Sequence, residues 1–154
     1  MENVSHAEMG RICVHRVKLD VTVRSITLRW MASDWTKLQA QARREVDRVL
    51  RSLPKPLQEK ARNLPVTFER QPNDALVAEG IEWDTLGLFV GPAYAEEGHG
   101  SPMPSQIILY LENIWDEADE DQEIFAEEVR TTFLHELGHY LGLDENGLFD
   151  RGLD

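Results

Sequence analysis

Two histidines and a glutamate near the end of the chain have the residue types and the spacing of a metal-dependent hydrolytic centre. His135, Glu136 and His139 form the pattern H-E-x-x-H within the segment TTFLHELGHYLGLDENGL. Residues four apart on an α-helix lie on the same face with Cβ atoms about 5–6 Å apart, so two such imidazoles can bind one zinc ion with Zn–N bonds of about 2.0–2.1 Å. Glu136 lies about 100° round the helix, where its carboxylate can hold a water molecule without binding the metal. The pattern predicts zinc ligands at His135 and His139 and a general base at Glu136.

A third zinc ligand is expected, because catalytic zinc sites have three protein ligands. Gly142, three residues after His139, is predicted to end the helix in a left-handed conformation and to turn the chain back. Glu145 and Asp144 follow that turn. We prefer Glu145, which completes the more specific pattern H-E-x-x-H-x-x-G-x-x-E. Asp144 is the second choice, and His99, in a loop rich in glycine and proline, is the third.

The motif is predicted to lie on a long helix from about 122 to 141, with its apolar stripe and its histidine pair on different faces. Acidic residues at 119–123 are expected to cap the start of that helix. Three short strands are predicted at 64–69, 86–90 and 106–111. An earlier amphipathic helix is predicted from Ser33 or Asp34 to Leu53, on the recurrence of Leu38, Ala42, Val46, Val49, Leu50 and Leu53.

The length of 154 residues suits one domain with a real core. Residues 1–30 are predicted to form an extension that is either an edge strand or disordered, and residues 31–154 are predicted to form the domain. The longest apolar run, IILYL, is far shorter than the ~20 residues of a membrane helix, and no secretory signal is evident. Since Cys13 is the only cysteine, an intrachain disulfide is excluded. We therefore expect a cytoplasmic protein.

Charge is divided unevenly along the chain, whose net charge is −12. Residues 1–70 carry 14 Lys/Arg against 8 Asp/Glu, whereas residues 71–154 carry 2 against 20. An acidic half that contains the motif would repel nucleic-acid phosphates and attract a divalent cation. We expect a peptide or protein substrate, cationic or neutral, and neither a nucleic acid nor a membrane as partner.

From about Trp35 to Asp154 the chain resembles the bacterial family of minimal zincin-like metallopeptidases. The segments that carry the resemblance are LGLF, PSQIILY and HELGHYLGLDE. The resemblance implies a compact α+β fold, in which a small mixed β-sheet packs against an N-terminal amphipathic helix and a C-terminal metal-binding helix. It also implies His135 and His139 as zinc ligands, Glu136 as the base and a carboxylate after Gly142 as the third ligand.

Three functions agree with these features. The first is a zinc-dependent metallopeptidase. The second is a catalytically silent metal-binding protein with a regulatory or interaction role on the same fold, because no methionine follows His139 to form a Met-turn. The third is an interaction domain with a coincidental motif, whose basic N-terminal part meets an acidic partner.

An active peptidase would need two further features. One is a donor to the oxyanion, for which Tyr94, Tyr110, Tyr140 and His99 are candidates. The other is a strand edge that can pair with an extended peptide, and the strands at 106–111 and 86–90 are the candidates.

Overall fold

The computed structural model describes residues 31–96 and 104–150, and for residues 31–34 and residue 145 it describes the backbone only. The predicted extension 1–30 and the loop residue His99 lie outside the described residues. The division of the chain at residue 31 therefore stays a prediction.

Helices and short strands alternate along the described chain. In order they are α1 (Met31–Ser52), α2 (Lys55–Ala61), β1 (Val66–Glu69), α3 (Asp74–Ala78), β2 (Gly87–Val90), a 3-10 turn (Tyr94–Glu96), β3 (Gln106–Tyr110), α4 (Leu111–Glu117), α5 (Gln122–Tyr140) and α6 (Glu145–Phe149). The two long helices and the three strands agree with the predictions. The short helices α3, α4 and α6 were not predicted, because five to seven residues show too little periodicity. None of the helices described has the length and apolarity needed to cross a membrane.

The three described strands form a mixed sheet in the order β1-β3-β2. The central strand, β3, pairs in parallel with β1, where Val66 lies opposite Ile107. It pairs antiparallel with β2, where Gly87 lies opposite Leu109. Both edges of β3 are therefore hydrogen-bonded to neighbouring strands, which leaves β1 and β2 at the two ends of the described sheet.

The two faces of the sheet are covered by different parts of the chain. One face packs with α1 and α5 into the main core, to which the sheet contributes Phe89, Ile107 and Leu109. The other face has a smaller cluster that contains Ile81, Leu88, Ile108 and Tyr110 and no residue of α5. The fold is therefore α+β, with the small mixed sheet packed against the first helix and the motif helix, as predicted.

Both ends of α5 are fixed by local hydrogen bonds. The Asp121 side chain accepts from the backbone N–H groups of Glu123 and Ile124 at 2.8 and 3.0 Å, which caps the N-terminus and confirms the expected acidic cap. At the other end Gly142 has φ +91°, the left-handed conformation that glycine adopts readily. Its N–H donates to the His139 carbonyl, and the next N–H, of Leu143, donates to the Gly138 carbonyl. These two bonds form a Schellman motif directly after the second histidine.

The turn between α4 and α5 concentrates negative charge. Asp119 and Glu120 adopt φ +49° and +62°, which side chains with a Cβ rarely do. Burial raises the pKa of the Asp116 carboxyl above its ordinary value, and the negative charges of Glu120 and Glu112 raise it further. This turn therefore carries both backbone strain and like-charge repulsion.

Candidate metal centre

The two histidines of the motif lie on one face of α5 with ring nitrogens close together. Their Nε2 atoms are 3.1 Å apart, and the rings, whose centroids are 4.8 Å apart, are inclined by 77°. A tetrahedral zinc ion with Zn–N bonds of about 2.0–2.1 Å holds two ligand nitrogens about 3.3 Å apart. The pair therefore has the donor atoms and the spacing for two neighbouring positions on one zinc ion.

A backbone carbonyl determines which nitrogen of His139 carries the proton. His139 Nδ1 lies 3.1 Å from the carbonyl oxygen of Leu143. Because a carbonyl oxygen can only accept, Nδ1 must donate, and the lone pair of the neutral ring is then on Nε2. Hydrogen bonds of this kind orient metal-binding histidines in many proteins.

The Glu136 side chain lies between α5 and strand β2 and is only 3% exposed. A Cβ atom placed on Gly87 would lie 3.0 Å from Glu136 Cγ and 3.2 Å from its Oε1. The same atom would lie 2.6 Å from Thr132 Cγ2, a distance that real Cβ contacts essentially never show. The absence of a side chain at Gly87 therefore lets the backbone of β2 approach the predicted base closely.

The opposite side of the motif is covered by α6. Leu148 is fully buried, and a Cβ atom placed on Gly138 would overlap its Cδ2 atom. The two histidine rings are also nearly buried, at 8% exposure for His135 and 5% for His139. The apolar stripe of α5 lies in the main core, as predicted, and β2 and α6 pack beside the last turns of the helix, which carry the histidines.

The structure describes the side chain of only one of the three candidates for the third ligand, Asp144. The Asp144 carboxylate is the N-cap of α6, where its Oδ1 accepts from the Gly147 N–H at 2.9 Å. Glu145 is the first residue of α6, but its side chain, like His99, lies outside what the structure describes. Within the described side chains, no third histidine, cysteine or carboxylate joins the two histidines in a metal-binding group.

The three tyrosines proposed as oxyanion donors differ in their surroundings. The Tyr140 hydroxyl donates to the Lys60 carbonyl at 3.2 Å. Tyr110 is fully buried in the cluster on the far face of the sheet, where burial, Glu69 and Glu136 raise the pKa of its phenol to about 12. Tyr94 is 40% exposed and packs edge-on against Tyr140. Of the three, Tyr94 is the exposed one.

Three residues of the site were missed by the sequence reasoning. Gly87 had a signal, since a glycine inside an apolar strand indicates close approach of another group. The Leu143 carbonyl had none, because backbone acceptors leave no mark in residue types. Leu148 was not singled out, since α6 was not predicted.

Comparison with protein families shows which family the chain belongs to. The chain matches the family model of zincin-like metallopeptidases over residues 61–153, more than half of its length. The protein therefore belongs to the zincin-like metallopeptidase family, as its resemblance predicted, and the family in general depends on zinc. The matched region begins at the end of α2, so α1 lies outside it. A comparison with curated proteins gives no match.

Proposed function

We propose that this protein is a zinc-dependent metallopeptidase that uses His135 and His139 as ligands and Glu136 as the general base. The observation that carries the proposal is the pair of Nε2 atoms 3.1 Å apart on the face of α5. The buried carboxylic side chain of Glu136 lies next to them in the chain, and membership of the zincin-like family supports the assignment.

The chemistry divides between the ion and the protein groups. A zinc ion at this position would supply a Lewis acid that polarises a peptide carbonyl and makes a water molecule more acidic. Glu136 accepts the proton of the attacking water and returns it to the leaving amine. His139, whose Nδ1 donates to the Leu143 carbonyl, would hold the ion through the lone pair of Nε2.

Glu145 is our choice for the third ligand. It follows Gly142 at the spacing of the extended motif, and its backbone begins α6 directly after the turn. The competing carboxylate, Asp144, is held by the Gly147 N–H. Three ligands would leave one zinc position for water or substrate, which is the arrangement of catalytic zinc sites.

A peptide substrate would pair with β2. Of the two strands considered from the sequence, β3 is hydrogen-bonded to neighbours along both edges, whereas β2 is an end strand of the described sheet. Gly87, the first residue of β2, contacts Glu136, so a peptide bound along this strand would lie beside the base. The acidic second half of the chain favours cationic or neutral peptides over nucleic acid.

The test is replacement of the base without removal of the ligands. Glu136→Gln is expected to bind zinc as wild type does and to cleave a random peptide library at least about 100-fold more slowly, because general-base catalysis contributes about 10²–10⁴-fold. The matched control is Glu127→Gln, the same change at an exposed position of α5, and it should cleave as wild type.

Each alternative function has its own outcome in this experiment. Wild-type protein that binds zinc and cleaves no peptide would indicate the silent metal-binding protein. Wild-type protein that binds no zinc would indicate an interaction domain. Cleavage by Glu136→Gln at the wild-type rate would remove Glu136 from the role of base.

A further inference from the structure

We propose that Leu148 is a positioning residue for His139. Its packing onto Gly138 holds the Leu143 carbonyl against His139 Nδ1, which keeps the lone pair on the metal-binding nitrogen. The inference rests on the proposed function in one respect, the role of His139 as a zinc ligand.

Helices α6 and α5 are in direct contact. The fully buried side chain of Leu148 occupies the space where a side chain on Gly138 would lie, because a Cβ atom there would overlap Leu148 Cδ2. A glycine between the two zinc-binding positions therefore lets α6 pack directly against the backbone of the motif. Any larger residue at this position would displace the Leu148 side chain.

Leu143 lies between the two helices. Its N–H donates to the Gly138 carbonyl at 2.9 Å, and its Cδ1 lies 3.5 Å from where a Cβ of Gly138 would be. Its Cδ2 lies 3.5 Å from where a Cβ of Gly147, in α6, would be. Leu143 is thus in contact with both helices, and its carbonyl accepts from His139.

The stability of α6 depends on the packing of Leu148. A helix of five residues is far too short to be stable alone in water. Local bonds cap it, namely those from the Gly147 N–H to Asp144 Oδ1 and from the Leu148 N–H to the Asp144 carbonyl. Leu148 is the buried apolar residue of α6, whereas the next residue, Phe149, is 68% exposed. Together with the local hydrogen bonds of the turn, the packing of Leu148 therefore holds α6 and the turn at Leu143 against the end of α5.

The test compares Leu148→Ala with Phe149→Ala, two truncations at adjacent positions of which only the first removes the contact. In the metal-free protein, nitrogen-15 NMR reports the tautomer of His139, and competition with a chelator reports the zinc affinity. Leu148→Ala is expected to lose the Nδ1–H tautomer as the dominant form and to bind zinc about 10- to 100-fold more weakly, the usual effect of removing support from a ligand. Phe149→Ala should match wild type in both.

A double replacement separates positioning from general loss of packing. Gly138→Ala alone should weaken zinc binding, because its methyl displaces Leu148. Gly138→Ala combined with Leu148→Ala should bind zinc more tightly than Gly138→Ala alone, since the new methyl then fills vacated space. If Leu148→Ala does not fold, Leu148→Val takes its place with smaller changes in the same direction.

The inference is overturned if folded Leu148→Ala keeps both the wild-type tautomer and the wild-type zinc affinity. None of these measurements uses a peptide. Wild-type protein that binds zinc but cleaves no peptide would therefore contradict the peptidase proposal. The comparison of Leu148→Ala with Phe149→Ala would still test the role of Leu148. If wild-type protein binds no zinc, the tautomer of His139 alone decides.

Discussion

The two sides of the motif helix are supported in different ways. On one side, Glu136 lies against Gly87 of β2, a residue far away in the sequence. On the other side, His139 bonds to Leu143, and Gly138 contacts Leu148, all within the last part of the chain. The proposed base therefore depends on the tertiary packing of a strand, whereas the proposed ligand depends on a local turn and a short helix. This difference predicts that base and ligand can be impaired separately.

The largest effect is expected on the side of the strand. Gly87→Ala should slow peptide cleavage by up to about 100-fold, because its methyl forces Glu136 to shift by a few tenths of an ångström and a misplacement of about 1 Å can cost that much. Zinc affinity should be unchanged, since the nearest atoms to the added methyl belong to Thr132 and Glu136 and to neither histidine. Steady-state cleavage and zinc titration of the same sample check both statements.

Thr132→Ser provides the control for Gly87→Ala. It removes Thr132 Cγ2, the atom nearest to the added methyl, and leaves the contacts with Glu136 Cγ and Oε1 in place. The double variant should regain stability but not activity. Wild-type cleavage by the double variant would show that Gly87 serves only to pack against Thr132.

A change in α6 should impair zinc binding and leave the position of Glu136 unchanged, which is the opposite of the result expected for Gly87→Ala. Leu148→Ala is expected to lower zinc affinity with Glu136 still in contact with Gly87, so that activity returns when zinc is raised to saturation. Gly87→Ala should not recover at any zinc concentration. Recovery of both variants, or of neither, would contradict the separation of base and ligand.

The smallest effect on function is expected from a change in the turn between α4 and α5, and this change is the control for the two sides of the motif helix. Glu120→Gln should lower the pKa of Asp116 towards its ordinary value, because it removes one of the negative charges that raise it. Because its pKa is raised, Asp116 binds a proton at a higher pH in the folded protein than in the unfolded chain. The folded protein therefore gains stability relative to the unfolded chain as the pH falls through the pKa of Asp116. Glu120→Gln should make this gain in stability smaller. NMR titration of Asp116 and urea unfolding against pH check the two changes. Altered zinc binding in this variant would show that the turn is coupled to the metal centre.

Sequence reasoning reached the parts of the site that depend on local spacing. The alignment of His135 with His139 and the left-handed turn at Gly142 both follow from helix geometry, and the structure shows both. The contact of Gly87 with Glu136 depends on how a strand and a helix pack, and no local pattern determines that distance. The same holds for Leu148, whose helix is too short to be recognised from periodicity.

The central claim is that His135 and His139 bind one zinc ion together. The most direct measurement is zinc titration of metal-free wild type, His135→Ala and His139→Ala, with X-ray absorption spectroscopy of the zinc-loaded wild type. We predict one zinc per chain in wild type, imidazole nitrogens at about 2.0–2.1 Å from the metal, and loss of tight binding in both variants. Wild type without bound zinc, or either variant with wild-type affinity, would contradict the account.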